Sequence, residues 1–80
     1  MLDELNAKDK VVGVKQSHKA IAQGQAVKAF FAADADPAVL APLAQLCREK
    51  NVPAESVYTM AQLGAACRIS VGAAVAVLLK

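Results

Sequence analysis

The sequence predicts an α/β fold in which helices cover both faces of a small sheet. Three observations carry that expectation. Short apolar, β-branched runs alternate with segments of helical period along the chain, as in folds built from strands and helices in turn. Two of those runs, "AVKAFFAAD" and "AVAVLL", are apolar on both sides, as strands in the middle of a covered sheet are. The 80 residues are 56% hydrophobic and 20% charged, the balance of a globular chain rather than a disordered one.

One domain spanning residues 1–80 is the natural count for this length. A chain so small buries only roughly 60% of the surface its unfolded form exposes. The polar N-terminus "MLDELNAKDK" predicts a short helical stretch and does not read as a signal peptide. No apolar run approaches the ~20 residues that cross a bilayer, so a cytoplasmic protein without a membrane partner is expected.

"KVVGV", residues 10–14, reads as the first strand. "KQSHKAIAQGQ" follows as a helix with Ala20 and Ile21 on its apolar side and Gly24 as its stop. Its start is open between Lys15 and, if Ser17 caps, His18. The mostly apolar "AVKAFFAAD" is expected to be central. In "DADP", Asp36 can cap a helix and Pro37 suits its first position. Pro42 argues for a break, giving a short turn at 37–40 and a main helix from about Ala41 to Lys50. Leu43, Leu46 and Cys47 form that helix's apolar face, and Asn51 and Pro53 end it. "ESVY" is a short strand. Thr59 and Gln62 form a capping box opening the helix "MAQLGAAC". "RISVGA" is a loop and "AVAVLL" the last, buried strand.

The stretch "GVKQSHK", residues 13–19, is the first candidate for chemistry. A helix start favours acids, because its free N–H groups carry partial positive charge. This one holds Lys15, His18 and Lys19 and no acid. From Lys15, residues 15, 16 and 19 share one helix face, and the two lysines repel by a few tenths of a kcal/mol. Local stability does not account for that arrangement; a phosphate accepting the free N–H groups would. Gly13 would permit close backbone approach, and Gln16 adds an amide able to read a base edge. A solvated basic helix end with no ligand is the plainer alternative. Residues 8–28 hold Lys8, Lys10, Lys15, Lys19 and Lys28 against Asp9 alone, whereas residues 29–66 are net acidic. Such polarisation suits an anionic partner.

The remaining candidates carry less. Ile69 and Val71 are apolar residues in a loop, either core anchors or a surface for an unstacked base. "DADP" is a weak metal signal that turn and capping chemistry explains. His18 is the only histidine and lacks an acid beside it in sequence, so a Cys–His nucleophile with Cys47 or Cys67 is remote. The cysteines lack zinc spacing and read as buried free thiols. No nucleotide-binding or hydrolase motif occurs, and Tyr58, Phe30 and Phe31 are too few for an aromatic RNA-stacking platform. No enzyme, cofactor or metal is therefore expected.

Four motifs in order, "GVKQSHK", "AADADP", "LCREKNVP" and "LGAACRISVGAA", resemble the L-seven-Ae family of ribosomal and kink-turn RNA-binding proteins, most closely its short bacterial branch. The resemblance runs from about Lys10 to Leu79. It implies a three-layer α-β-α sandwich with a small mixed four-stranded sheet. It also implies binding of kink-turn RNA, a duplex sharply bent at a short bulge beside sheared G·A pairs. The guanine-reading positions fall on Gly13, Lys15, Gln16 and Lys19. The loop packing against the bend falls on Ile69, Ser70 and Val71, and the positions nearing the extruded base on Asp36 and Leu40. Archaeal and eukaryotic relatives usually carry Asn-Glu at Lys15-Gln16 and often a lysine at Met60, and the family's longer form has a C-terminal helix beyond the last strand.

The expectation is thus a monomeric RNA-binding protein acting on a ribosomal or riboswitch kink-turn, in the first case on the large ribosomal subunit. The rival expectation is a protein-interaction module that kept the fold and lost the RNA.

Overall fold

The computed structural model describes residues 9–80. The expected N-terminal helical stretch lies outside them. The chain runs β1 (Lys10–Val12), α1 (Val14–Ala22), β2 (Ala26–Ala32), α2 (Pro37–Glu49), β3 (Ala54–Tyr58), α3 (Met60–Ala66) and β4 (Val75–Leu79). The strands form one mixed sheet in the order β1-β4-β2-β3. β4 is antiparallel to β1 and β2, and β2 is parallel to β3. The expected α-β-α sandwich is therefore present, with β2 central as its two-sided apolar pattern requires.

Alternate residues of β2 point to opposite layers. Ala29 and Phe31 join Ile21 of α1 and Leu43 and Cys47 of α2 in one core. Phe30 and Ala32 join Leu63, Ala66 and Cys67 of α3 in the other. β4 feeds both, through Val75 and Val77 on one side and Ala76 on the other. Tyr58 packs its ring against Phe30, with centroids 6.0 Å apart. Both cysteines are buried free thiols. Burial pushes their pKa values up, with Lys10 partly opposing this at Cys67. Both thiols thus stay protonated at neutral pH.

Three boundaries differ from the sequence expectation. The first strand ends at Val12, not Val14, because α1 already begins at Val14 with Gly13 as its N-cap. The start is thus neither Lys15 nor His18. Ser17 is no cap but lies wholly buried inside the helix beside Ala20 and Ile21. Helix α2 also runs unbroken from Pro37 through Pro42 to Glu49. Pro42 removes one helical bond, to the carbonyl of Ala38. Both residues are exposed, so water can satisfy that carbonyl, and Leu43 and Cys47 hold the helix from its other side.

Helix ends obey the capping rules at α2 and α3. Asp36 accepts the Ala38 N–H at 2.9 Å. Thr59 and Gln62 form the expected capping box, at 3.2 and 3.0 Å. Gly24 ends α1 with a left-handed φ of 73°. Thr59→Ala should lower stability by about 1 kcal/mol, the usual cost of losing such a cap. Urea denaturation measures this, and an unchanged midpoint would show that the box does not hold α3.

Candidate nucleic-acid interface

The strand directions bring the candidate residues to one end of the sheet. β1, β2 and β3 all run the same way, so each delivers its following helix at the same end. β4 runs back between β1 and β2, so its entry loop starts there too. The Gly13 N–H donates to the Val75 carbonyl at 3.0 Å, and the Ala32 N–H donates to the Ala74 carbonyl at 2.8 Å. The loop of residues 68–74 thus sits between the start of α1 and the turn that leads to Asp36.

Helix α1 begins without the usual anionic help. It has no side-chain cap and no acid in its first turn. Its first helical bond runs from the Ser17 N–H to the Gly13 carbonyl at 3.0 Å, which leaves the N–H groups of Val14, Lys15 and Gln16 ahead of it. Lys15, Gln16 and Lys19 are exposed, and neither lysine forms an ion pair with another described residue. Gly13 sits at φ 102° and ψ 157°, a region that is essentially glycine's alone. A Cβ there would meet nothing within 4 Å. Backbone conformation, not crowding inside the protein, is what requires glycine.

The second candidate segment is open rather than anchored. Ile69 and Val71 are exposed, Val71 to 69%. They are therefore not core anchors. Their loop is nevertheless fixed in place. A Cβ on Gly64 would run into the Val71 carbonyl oxygen, and one on Gly72 would press on Met60. The Ala73 N–H donates to the Met60 carbonyl at 3.1 Å. The "LG" of the third helix is thus the floor on which the loop lies. Arg68, at φ 61°, makes the turn into it.

Across the loop, both acids of "DADP" are engaged in capping. Asp34 accepts the Met60 N–H at 2.7 Å and ties this turn to the start of α3. Asp36 caps α2 through one carboxylate oxygen. Leu40 is half-buried, packs against both cores and lines an apolar groove with Pro37, Ala41 and Ala44. Among the described residues no group of three or more His, Cys, Asp or Glu side chains comes together.

Sequence reasoning overstated the basic face and saw only the Ile69 and Val71 part of the apolar one. Lys28 pairs with Glu55 and lies 5.2 Å over the Phe30 ring, and Lys10 is half-buried in β1. Only Lys15 and Lys19 of the described lysines in that stretch therefore stand at the α1 start. Of the six large hydrophobic residues exposed among the described residues, Val14, Val39, Met60, Ile69 and Val71 all belong to the helix starts and the loop at this end. Val27 alone lies elsewhere. The available signal was an apolar residue in or beside each helix's first turn, a position that core packing does not demand.

Comparison with known proteins identifies the family. The model of the Ribosomal protein L7Ae/L30e/S12e/Gadd45 family matches residues 2–80. The chain belongs to this family. It is 40% identical over 76 residues to an RNA-binding protein of Geobacillus sp. (strain WCH70), covering 95% of this chain and 93% of that one. It is 39% identical over 70 residues to the RNA-binding protein YbxF of Geobacillus stearothermophilus, with 88% and 85% covered. Its fold superimposes on the 15.5kD RNA binding protein of Giardia lamblia with a TM-score of 0.88 and 30% identity. That match covers 99% of this chain and 67% of the other.

Because only glycine adopts the Gly13 backbone without strain, Gly13→Ala should destabilise the fold by about 1–3 kcal/mol. Thermal unfolding measures this; an unshifted transition would mean that α1 begins otherwise than described.

Proposed function

We propose that this protein binds kink-turn RNA and holds it in its bent form. The observation that carries the proposal is the start of α1, where Lys15, Gln16 and Lys19 stand exposed on a helix end without cap or acid. Family membership and the RNA-binding names of the relatives support RNA as the anion. In this function Gly13 lets the RNA backbone approach. Lys15 and Lys19 attract phosphates and can donate to guanine O6 or N7. Gln16 reads a guanine edge through its amide. Ile69, Ser70 and Val71 cover the unstacked bulge, and Asp36 and Leu40 approach the extruded base. The work is recognition, with no reaction and no cofactor.

The natural RNA on this proposal is a kink-turn in ribosomal RNA or a riboswitch, the former placing the protein on the large ribosomal subunit. It binds as a cytoplasmic monomer. Among the described residues no helix is long and apolar enough to cross a membrane.

The proposal is tested by titrating the protein with a kink-turn duplex and with a copy whose sheared G·A pairs are replaced by Watson–Crick pairs. We expect clearly tighter binding to the first. Equal affinities would leave charge alone as the attraction. If neither RNA binds in a salt-dependent way, the protein-interaction alternative gains, since phosphate contacts release counterions.

Within the same complex, Lys19→Ala should weaken binding by more than ~1 kcal/mol, the lower end for a specific base contact. Isothermal titration reads the change, and an unaltered constant would move the site away from α1.

A further inference from the structure

The three helices of the described residues end alike, and one of them ends on an unexpected residue. Just past the last turn of each, one residue takes a left-handed backbone: Gly24 at φ 73°, Asn51 at φ 59° and Arg68 at φ 61°. Their N–H groups donate to the carbonyls of Ile21, Arg48 and Ala65, at 3.1, 3.4 and 3.0 Å. Glycine and asparagine adopt this conformation at low cost and are the usual residues at such helix ends. Arginine carries a steric penalty there. Attraction to the negative end of α3 is the smaller effect for an exposed side chain. A cation can also serve a helix end from inside the last turn without that penalty, as Arg48 does in α2. Local stability therefore does not select arginine at residue 68. The Arg68 side chain is exposed and forms no ion pair with another described residue.

Its place in the fold supplies a reason. Arg68 opens a run of five exposed residues, 68–72, that contains Ile69, Ser70 and Val71. The run is laid back along α3, with the Ile69 N–H donating to the Gly64 carbonyl and the Ala73 N–H to the Met60 carbonyl, both at 3.1 Å. It leads from the end of α3 to the end of the sheet where α1 starts. α1 and α3 pack on opposite faces of that sheet, through Ile21 in one core and Leu63 in the other. The cations therefore flank the apolar loop: Lys15 and Lys19 stand on the α1 side, and Arg68 adjoins Ile69 on the α3 side. A base that rests on the loop brings its own phosphates alongside, and sites for unpaired strands combine a stacking surface with cations that track the backbone. A guanidinium fork matches a phosphate with two parallel N–H bonds. We infer that Arg68 is a phosphate anchor for the bulged strand, at the edge of the loop opposite Lys15 and Lys19. This inference rests on the kink-turn proposal, in which Ile69 covers the bulge, and adds a contact which that proposal does not include.

The experiment uses the full chain and its Arg68→Gly and Arg68→Lys variants with three RNAs: the kink-turn, the same kink-turn with uncharged methylphosphonates in its bulge, and the Watson–Crick control. Each pair is titrated over a range of salt well below the unfolding temperature, and thermal unfolding of each protein is followed alongside. Arg68→Gly should unfold no earlier than the wild type, since glycine takes the left-handed backbone freely. It should bind the kink-turn ~10-fold more weakly, and its slope of log K against log salt should be shallower by about one. Arg68→Lys keeps the charge and should keep the slope. On the methylphosphonate RNA, Arg68→Gly and the wild type should bind equally. An unchanged slope for Arg68→Gly overturns the inference, whatever its stability, and leaves Arg68 as a helix-end residue. An undiminished loss on the methylphosphonate RNA also overturns it, by placing the contacted phosphate outside the bulge. Wild-type preference for the kink-turn over the Watson–Crick control then leaves the kink-turn proposal standing. Absence of that preference defeats the proposal itself, and the bulge contact with it.

Discussion

Strand β4 runs back between β1 and β2, and the end of the molecule that carries the proposed site depends on that insertion. Three strands leaving in one direction would bring three helix starts to one end, but would leave the gap between β1 and β2 unfilled. β4 fills it with Val75, Ala76 and Val77, all wholly buried, and its ladders fix the spacing on both sides. Its first carbonyl takes the Gly13 N–H, and the carbonyl just before it takes that of Ala32. One short run of backbone thus sets where α1 begins, where the turn to Asp36 begins and where the loop of residues 69–71 emerges. The partial positive charges of the α1 and α2 starts add at this end. No single helix could assemble such a surface.

The contrast between helix starts is informative because the same chain handles them differently. α2 has an Asp cap with proline at its first position, and α3 has a full capping box. α1 has neither, and places two lysines where they repel each other and the helix dipole. A cap would stabilise it by about 1 kcal/mol. Burial of Ala20 and Ile21 beneath the helix offsets the missing cap without occupying its free N–H groups. The helix is held from below, so its upper face and its N-terminus remain available. In a protein whose other local choices favour stability, the exception coincides with the proposed site.

The features legible in the sequence were those written in local spacing. Ala20 with Ile21, Leu43 with Cys47, and Thr59 with Gln62 each declare a helix by residues a turn or less apart. The four motifs placed the chain in its family by the same kind of signal. What stayed hidden was set by contacts distant in sequence. Gly13 becomes a helix cap only because Val75, sixty-two positions on, accepts its N–H. Pro42 is tolerated because the opposite side of its helix is anchored in the core. Lys28 drops out of the basic face because Glu55 pairs with it from a neighbouring strand. The openness of Ile69 and Val71 likewise follows from Gly64, which supports their loop by backbone contact and so leaves their side chains outside.

An apolar end beside two lysines also explains how a bend could be recognised as a shape. A regular duplex offers phosphates and stacked bases, so it can satisfy Lys15 and Lys19 but leaves Ile69 and Val71 in water. A bent duplex with an unstacked bulge offers the flat face of a base as well. The two RNA forms therefore gain equally from the lysines and unequally from the loop. Only that inequality can shift the RNA between them, because a ligand moves an equilibrium by its differential affinity and not by its total. Each 1.4 kcal/mol gained by the bent form alone is a tenfold shift toward it. On the proposed function, charge would govern how firmly RNA is held, whereas Gln16 and the apolar loop would govern which RNA and in which shape.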